Sequence, residues 1–302
     1  MSQAVDSTRA ILFALAGNAA IAAAKYAAAL VTGSGALLAE AVHSTADCGN
    51  QLLLLLGLRR AKRPPNAEYP LGFGKETYFW SFVVAIILFT MGGVFSIYEG
   101  IHKLAAPQAL ASPLLALGVL AFSIGMEAFS LSGVLREVNK VRRGRSLRAW
   151  FRETRNAELV VVFGEDLAAL AGLALATVAV LAAWITGDPR FDAAGSIAIG
   201  VLLVVVAIAV AVEVKALLVG QGVEAAVRRE MIAFLESRPA VEHVFELLTL
   251  HMGSDVMVAV KAKMRGQGSE SALVDAINAV EAAFRARFPE VHWIFFEPDD
   301  RA

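Results

Sequence analysis

The chain has 302 residues, of which 57% are hydrophobic and 18% are charged, and its formal net charge is −1. This apolar content lies above the roughly 45–50% of soluble domains, which excludes an ordinary soluble protein and favours a membrane protein. Cys48 is the single cysteine, which excludes an intramolecular disulfide and thiolate-rich zinc motifs.

Six apolar segments are each long enough to cross a bilayer as a helix, which takes about 20 residues. They lie near residues 9–31, 37–58, 78–100, 113–135, 158–184 and 193–213. The sequence therefore predicts an α-helical polytopic membrane protein with six transmembrane helices, in a domain that covers residues 1–219. No removable signal peptide is expected, since no cleavage pattern is distinct from the first span.

Basic residues are concentrated in two links between these segments, at 59–75 and 136–155. Because Lys and Arg favour cytoplasmic links, we expect both links and both termini on the cytoplasmic side of the cell membrane. The second link interleaves Leu147, Trp150 and Phe151 with arginines, which is typical of a helix on an anionic membrane surface. Topology and lipid headgroups account for this basic charge, so no nucleic-acid partner is expected.

Polar and ionisable residues interrupt the second apolar segment. At 100° per residue, Glu40, His43, Asp47 and Asn50 fall within an arc of roughly 80° on one helix face. A charge at bilayer depth costs at least about 2.5–3.5 kcal/mol, so such groups usually face a bundle interior, a water-filled path or a bound ion. His43 and Asp47 are one turn apart and are ligands that Zn²⁺ and its neighbours accept. The alternative is a polar face that only holds helices together.

The fifth segment contains two adjacent carboxylates, Glu165 and Asp166, within a run of Val, Leu and Ala. Two buried anions must share a proton, meet cations or hold a metal. They point about 100° apart on a helix, so they cannot face one centre equally. We expect Asp166 to be the ligand and Glu165 to be a supporting group or a proton carrier.

Two further charges lie inside apolar segments. Lys25 is near the end of the first segment, so we expect its ammonium to extend to the membrane surface rather than to pair with an acid. Glu127 lies in the fourth segment, where pairing with a neighbouring helix and a role in proton movement are both open.

From residue 220 charges become frequent, and the periodicity changes. It predicts a helix at 223–237, strands at 241–251 and 255–264, a helix at 270–287 and a strand at 291–297. This αββαβ order predicts a cytoplasmic α+β domain over residues 220–302, ferredoxin-like or metallochaperone-like, whose small core favours pairing with a second copy. Its histidines, His243, His251 and His292, do not cluster at metal-ligand spacing.

The chain resembles the cation diffusion facilitator family over essentially its whole length. The residues that carry the resemblance are the stretch from Gly33 to Asp47, Pro70-Leu71-Gly72-Phe73-Gly74-Lys75-Glu76, the aspartate of the fifth segment and Asp188-Pro189-x-x-Asp192, followed by the αββαβ domain. The resemblance implies a homodimeric, proton-coupled exporter of divalent transition metals, and not an enzyme. The metal is its substrate rather than a cofactor. By position, His43, Asp47 and Asp166 match family ligands.

This sequence departs from the family pattern at three places. Val162 stands where the family has His or Asp four residues before the last aspartate, so the fourth ligand is Glu165, water or another residue. Tyr69 and Phe73 stand near the positions of a second, histidine-rich site, which we therefore do not expect. The stretch Phe295-Phe296-Glu297-Pro298 replaces the final His-x-Asp, which predicts a reduced or absent metal cluster in the cytoplasmic domain.

The residues favour alternating access around a midplane site, with metal exchanged for protons. His with carboxylates suits Zn²⁺ first, and Mn²⁺, Fe²⁺, Co²⁺ and Cd²⁺ to different degrees. The sequence contains no phosphate-binding G-x-x-x-x-G-K-[ST] loop, as in a secondary transporter. The alternatives are an intramembrane metal-dependent hydrolase, for which no H-E-x-x-H run is present, and a non-transporting metal-sensing scaffold.

Overall fold

The computed structural model describes residues 7–32, 35–107, 112–142, 144–266 and 268–300. Within its first two helices, the side chains of residues 7, 28, 29, 31, 32, 35–43 and 46 lie outside this description. The chain divides into two compact units. The helical unit comprises Met1–Arg59, Thr77–Arg152 and Asn156–Lys215, and the C-terminal unit comprises Arg60–Glu76, Glu153–Arg155 and Ala216–Ala302.

Long apolar helices make up the helical unit. In chain order they are α1 (Ser7–Thr32), α2 (Gly35–Ala61), α3 (Glu76–Ile87), a π-helical segment (Leu88–Val94), α4 (Phe95–Ala105), α5 (Pro113–Val141), α6 (Leu147–Glu153), α7 (Ala157–Thr186) and α8 (Arg190–Val219).

Five helical stretches in the described part of the chain are long and apolar enough to cross a membrane. They are Thr8–Ala27, Glu76–Ala105, Pro113–Val141, Ala157–Thr186 and Arg190–Val219, and they coincide with five of the six predicted spans. The remaining predicted span is α2, which is helical over 27 residues but has part of its side chains outside the described residues.

Small residues let the helices approach closely. A Cβ added to Gly200 of α8 would lie 2.8 Å from the carbonyl oxygen of Gly93 and 2.7 Å from the Ile97 nitrogen, so only glycine fits there. This contact lies at the π-helical segment, a widening of the helix that the apolar pattern alone does not predict. On the other side of the unit, α1 packs on α5 and α5 packs on α7, with Phe13 and Phe129 edge to face at 5.8 Å.

The basic link between α5 and α7 forms the short helix α6, but its tryptophan does not face lipid. Trp150 is completely buried, and its ring packs edge to face on Phe163 of α7 at 5.5 Å. Leu147 is 37% exposed. The expectation that the apolar side chains of α6 lie on the membrane surface is therefore wrong for Trp150, because α7 offers it an aromatic partner inside the protein.

The C-terminal unit has the predicted α+β fold. Its elements are α9 (Ala225–Glu236), β1 (Val241–Met252), β2 (Asp255–Met264), α10 (Glu270–Arg287) and β3 (Val291–Pro298), close to the predicted boundaries. The sheet order is β1-β2-β3, with β1 and β2 antiparallel and β2 and β3 parallel. The apolar core between sheet and helices is built around Met231, Leu235, Leu247, Val258 and Phe284. The predicted fold class is confirmed.

Two segments from distant parts of the sequence complete this unit. Gly74, in the loop between α2 and α3, lies against the turn between β1 and β2. A Cβ at Gly74 would lie 1.7 Å from the Met252 carbonyl oxygen, so no other residue fits at that contact. In the link before α7, the Nε of Arg155 donates to the Gly222 carbonyl oxygen at 2.8 Å. The predicted domain boundary after residue 219 stays a prediction; the compact unit itself also includes Arg60–Glu76 and Glu153–Arg155.

Candidate metal centre

Asp166 is buried in the first third of α7. Its carboxylate is 1% exposed, and its Oδ2 accepts a hydrogen bond from the Ser130 Oγ of α5 at 2.7 Å. The strongly apolar sequence of α7 buries this stretch of the helix against its neighbours, and the small side chain of Ser130 leaves room for the carboxylate. Asp166 is therefore placed at the contact between α5 and α7.

Glu165 faces a different helix from its neighbour. Its Oε1 accepts from the Asn50 Nδ2 at 3.0 Å, and its Oε2 accepts from the Gln51 Nε2 at 2.9 Å. The Gln51 Oε1 in turn accepts from the Asn18 Nδ2 of α1 at 3.3 Å. We call the four side chains Asn18, Asn50, Gln51 and Glu165 the amide clasp, because they join α1, α2 and α7.

The clasp agrees with the helical geometry, which points adjacent residues about 100° apart. Glu165 turns to α2 and Asp166 turns to α5, so α7 presents one carboxylate to each neighbour. Asn50 belongs to the polar stripe that the sequence shows, whereas Asn18, Gln51 and Ser130 are contacts that sequence reasoning missed. The signal that could have found them is an uncharged polar side chain inside an apolar span.

Asp47 and Glu127 extend this group of carboxylates. Asp47 is half-buried on α2 and interacts electrostatically with both Glu165 and Glu127. Glu127 of α5 is 6% exposed, and the charges of Asp166, Asp47 and Lys25 act on it. The structure thus brings carboxylates from α2, α5 and α7 into electrostatic range of one another.

Lys25 does not extend to the membrane surface, so that expectation is wrong. It is buried on α1, and its Nζ donates to the Ser44 Oγ of α2 at 2.9 Å. The physical reason is that α2 supplies a buried acceptor and nearby carboxylates supply opposite charge, so the ammonium need not reach water.

His43, the remaining predicted ligand, lies in the helical span of α2, but its side chain, like that of Glu40, is outside the described residues. Within the described part of the chain, no three His, Cys, Asp or Glu side chains stand close enough together to hold a metal ion. Val162, four residues before Asp166, is completely buried and its side chain has no metal-binding atom. The ligand set of His43, Asp47, Asp166 and Glu165 stays a prediction.

The histidines of the C-terminal unit have separate surroundings. His243 is exposed and its Nδ1 lies 2.9 Å from the Glu236 Oε1, while His292 packs edge to face on Trp293. His251 is half-buried, and burial together with the positive charge of Arg155 lowers its pKa to about 4. In the loop between α2 and α3, Tyr69 and Phe73 pack on each other with ring centroids 4.7 Å apart.

Several curated proteins are similar to this chain. A mitochondrial protein of Xenopus laevis, the proton-coupled zinc antiporter SLC30A9, is 33% identical over 231 residues, which are 76% of this chain and 41% of that protein. Metal tolerance protein C4 of Arabidopsis thaliana is 32% identical over 242 residues, 80% of this chain and 53% of that protein. The chain thus spans about half the length of these relatives or less. Magnetosome protein MamM of Magnetospirillum gryphiswaldense is 30% identical over 108 residues, 33% of each chain.

A family model matches the helical part of the chain. Residues 11–219 match the cation efflux transmembrane domain, which covers more than half of the chain and includes α2, α5 and α7. Proteins of this family are transporters rather than enzymes, and the metal is their substrate rather than a cofactor, as the sequence predicted. The chain is a multi-pass membrane protein and belongs to the cation diffusion facilitator family.

Proposed function

We propose that this protein is a secondary transporter that exports divalent transition-metal cations from the cytoplasm in exchange for protons. Zn²⁺ is the first candidate substrate, followed by Mn²⁺, Fe²⁺, Co²⁺ and Cd²⁺. The observation that carries the proposal is the buried pair Glu165 and Asp166, which turns one carboxylate to α2 and one to α5. The similarity to the proton-coupled zinc antiporter SLC30A9 of Xenopus laevis supports the same substrate and coupling.

The proposed binding site lies between α2 and α7. His43, Asp47 and Asp166 are its proposed ligands, and Glu165 next to them is either a fourth ligand or the group that holds α2 in position. A divalent cation offsets the repulsion among these carboxylates, which in a medium of low polarity is otherwise severe. Alternating access would then expose the same site to each side of the membrane in turn.

Proton exchange follows from the chemistry of the ligands. A metal binds the neutral imidazole of His43 and ionised carboxylates, so loading the site releases protons, and protonation of the same groups favours release of the metal. A proton gradient therefore supplies the free energy for export without ATP.

Both termini are proposed to lie in the cytoplasm, with the protein in the cell membrane. The arginine-rich links at 59–63 and 136–155 support this orientation. In a Cys48→Ser background, single cysteines at Gly35 and Arg145 test it with an impermeant thiol reagent on intact cells. We expect labelling at 35 and none at 145; the reverse result would refute the orientation.

A homodimer is the proposed assembly. The sheet of the C-terminal unit exposes Leu248 of β1 at 56% and Phe295 of β3 at 57%. Both are in register with Ala259 of the central strand β2, so they form an apolar surface that a second copy could cover. Sedimentation of the full chain in detergent should give a dimer with or without chelator. Dimers that dissociate on addition of chelator would implicate His243, His251 or His292 in metal bridging.

Flux measurements in reconstituted vesicles test the transport function itself. The panel is Zn²⁺, Mn²⁺, Fe²⁺, Co²⁺ and Cd²⁺, each measured at several pH gradients. Metal flux should rise with the pH gradient, and the compartment that the metal leaves should become more acidic. Metal binding without any metal-dependent flux would contradict the proposal and favour a metal-sensing scaffold. Metal flux that does not depend on the pH gradient would be consistent with a metal transporter but would refute proton exchange.

A further inference from the structure

The short helix α6 exposes two arginines that have no partner in the described part of the chain. Arg148 and Arg152 lie one turn apart on α6, and both side chains are exposed. Neither forms a hydrogen bond or an ion pair with any described residue. Because like charges one turn apart oppose helix formation, the pair does not stabilise α6. Two adjacent guanidinium groups instead favour an anionic ligand.

Neighbouring basic side chains, by contrast, bind groups of the protein itself. Lys140 pairs with Glu137 at 2.6 Å. Arg142 and Arg145 each donate to the other's backbone carbonyl oxygen, at 3.4 and 3.1 Å, just beyond the end of α5. The guanidinium groups of α6 therefore differ from these neighbours, since their donors remain open to a ligand.

The packing of α6 fixes the direction in which the arginines point. Trp150 is completely buried against α7. At 100° per residue, Arg148 and Arg152 each lie about 160° from Trp150 around α6, and thus on the opposite face. Leu147, which is 37% exposed, and the partly exposed Phe151 lie between these two faces. An apolar strip directly beside a basic strip is the arrangement of helices that lie in the membrane interface.

The depth of α6 in the membrane is set by its contact with α7. This helix has 30 residues and is about 45 Å long, which matches the roughly 40–45 Å of a bilayer with its headgroups. Phe163, which packs on Trp150 at 5.5 Å, lies about 9 Å along α7 from Ala157. In a helix centred in the bilayer, this is close to the boundary between headgroups and acyl chains, since the hydrocarbon core is about 30 Å thick. The exposed face of α6 therefore lies at the level of the lipid headgroups.

From these observations we propose that Arg148 and Arg152 bind the headgroup of an anionic phospholipid, while Leu147 and Phe151 contact its acyl chains. The phosphate accepts hydrogen bonds from the guanidinium groups, and the net negative charge of the headgroup offsets the repulsion between them. The proposal rests on the membrane location of α7 and does not depend on the proposed transport function.

The bound lipid has a structural consequence for α7. Only residues 154–156 join α6 to α7, and the seven residues of α6 are too few to form a stable helix alone. A lipid on the exposed face of α6, with Trp150 on the buried face, holds the start of α7 at the headgroup level. The helix fixed in this way is the one that carries Glu165 and Asp166.

Native mass spectrometry of the full chain in a nonionic detergent tests the proposal, because it counts bound lipids and gives their affinities. The probes are anionic phosphatidylglycerol, zwitterionic phosphatidylcholine and inorganic phosphate. Arg148→Gln and Arg152→Gln should each lower the affinity for phosphatidylglycerol about fivefold, and the double variant about 25-fold, with phosphatidylcholine binding unchanged. Arg229→Gln is the matched control, because Arg229 is an exposed arginine on α9 of the C-terminal unit. The control should bind phosphatidylglycerol as the wild type does.

Thermal unfolding in detergent without added lipid separates lipid binding from folding. The double variant should unfold at the wild-type midpoint or above it, since removal of two like charges does not weaken α6. Undiminished affinity for phosphatidylglycerol in the double variant, or an equal loss in Arg229→Gln, would overturn the proposal. Inorganic phosphate that displaces phosphatidylglycerol at equal concentration would overturn it as well, because the site would then bind a soluble anion.

Discussion

The helical unit and the C-terminal unit place their carboxylates in opposite ways. In the C-terminal unit the core is apolar, and charged side chains pair at the solvent-exposed surface of the sheet, which we call the rim. Lys261, for example, pairs there with Asp299 at 2.8 Å. In the helical unit Glu127, Glu165 and Asp166 lie inside, at 6%, 6% and 1% exposure. Rim pairs keep a domain soluble and cost little, whereas interior carboxylates oppose folding.

The exposed charges of the C-terminal unit are compatible with folding and need no further role, whereas the buried carboxylates of the helical unit are costly for folding and indicate a function. Substitution of a rim charge should change little, whereas substitution of a carboxylate at the proposed site should impair transport. A set of variants, from the interior outward, tests whether the division is as sharp as the structure indicates.

The largest effect is expected for the two aspartates at the proposed site. Asp47→Ala and Asp166→Ala should each lower metal flux by more than about 100-fold, beyond the roughly 10–100-fold typical of groups that only support ligands. Each removes a charge and a coordinating oxygen that no neutral neighbour replaces. The measurement is vesicle flux beside thermal unfolding, and wild-type flux in either variant would refute the assignment of α2 and α7.

Glu165→Gln should have the next largest effect, and its effect on stability tests the amide clasp. The new amide nitrogen would face the Asn50 or Gln51 donor, so we expect about 1–3 kcal/mol of lost stability. The double variant Gln51→Glu with Glu165→Gln restores one carboxylate to the pair and should recover most of that loss.

Metal titration of the same variant distinguishes the roles of Glu165. A positioning role predicts a modest loss of affinity that the double variant repairs. A sharp loss that the double variant does not repair would make Glu165 a ligand. Unchanged affinity with reduced pH-driven flux would indicate a proton carrier.

Much of the fold can be predicted from the sequence because its signals are local. Apolar runs of bilayer length give the spans, and the change of period after residue 220 gives the αββαβ order within a few residues. The adjacent carboxylates Glu165 and Asp166 are likewise visible, since a charge inside an apolar run needs a partner.

The missed features all depend on which helices are neighbours. Ser130, Gln51 and Asn18 are ordinary polar residues until α5, α2 and α1 are placed beside one another and α7. Lys25 was expected at the membrane surface because its position along the span is local information, whereas Ser44 is 19 residues away. Trp150 similarly depends on Phe163 of another helix.

His251 should have an intermediate effect, on the pH dependence of stability. It is an exception within the C-terminal unit because it is an ionisable side chain partly removed from solvent. Burial, and then the charge of Arg155, lower its pKa to about 4 from an ordinary value of 6.5. The folded state therefore binds the proton less readily than the unfolded state does. Its contribution is fully present above about pH 6.5 and is lost as the pH falls towards about 4, on the order of 3 kcal/mol in all.

The pH dependence of unfolding checks this. The full chain in detergent should be less stable at about pH 5 than at about pH 7, and His251→Phe should remove much of that difference. Direct observation of the imidazole by NMR should give its pKa. An imidazole with its ordinary pKa would show that protonation of His251 does not destabilise the folded state.

The smallest effect is expected at the rim of the sheet. The Lys263 Nζ donates to the Glu242 Oε1 at 2.9 Å, and this hydrogen bond lowers the pKa of Glu242 below its ordinary value. Because both groups are exposed, water already solvates the separated charges, and the pair adds little. Lys263→Met should return the pKa of Glu242 to its ordinary range and leave the unfolding midpoint and metal flux within error of the wild type. A change in flux would mean that this rim of the C-terminal unit acts on transport, and the division between interior and rim charges would have to be abandoned.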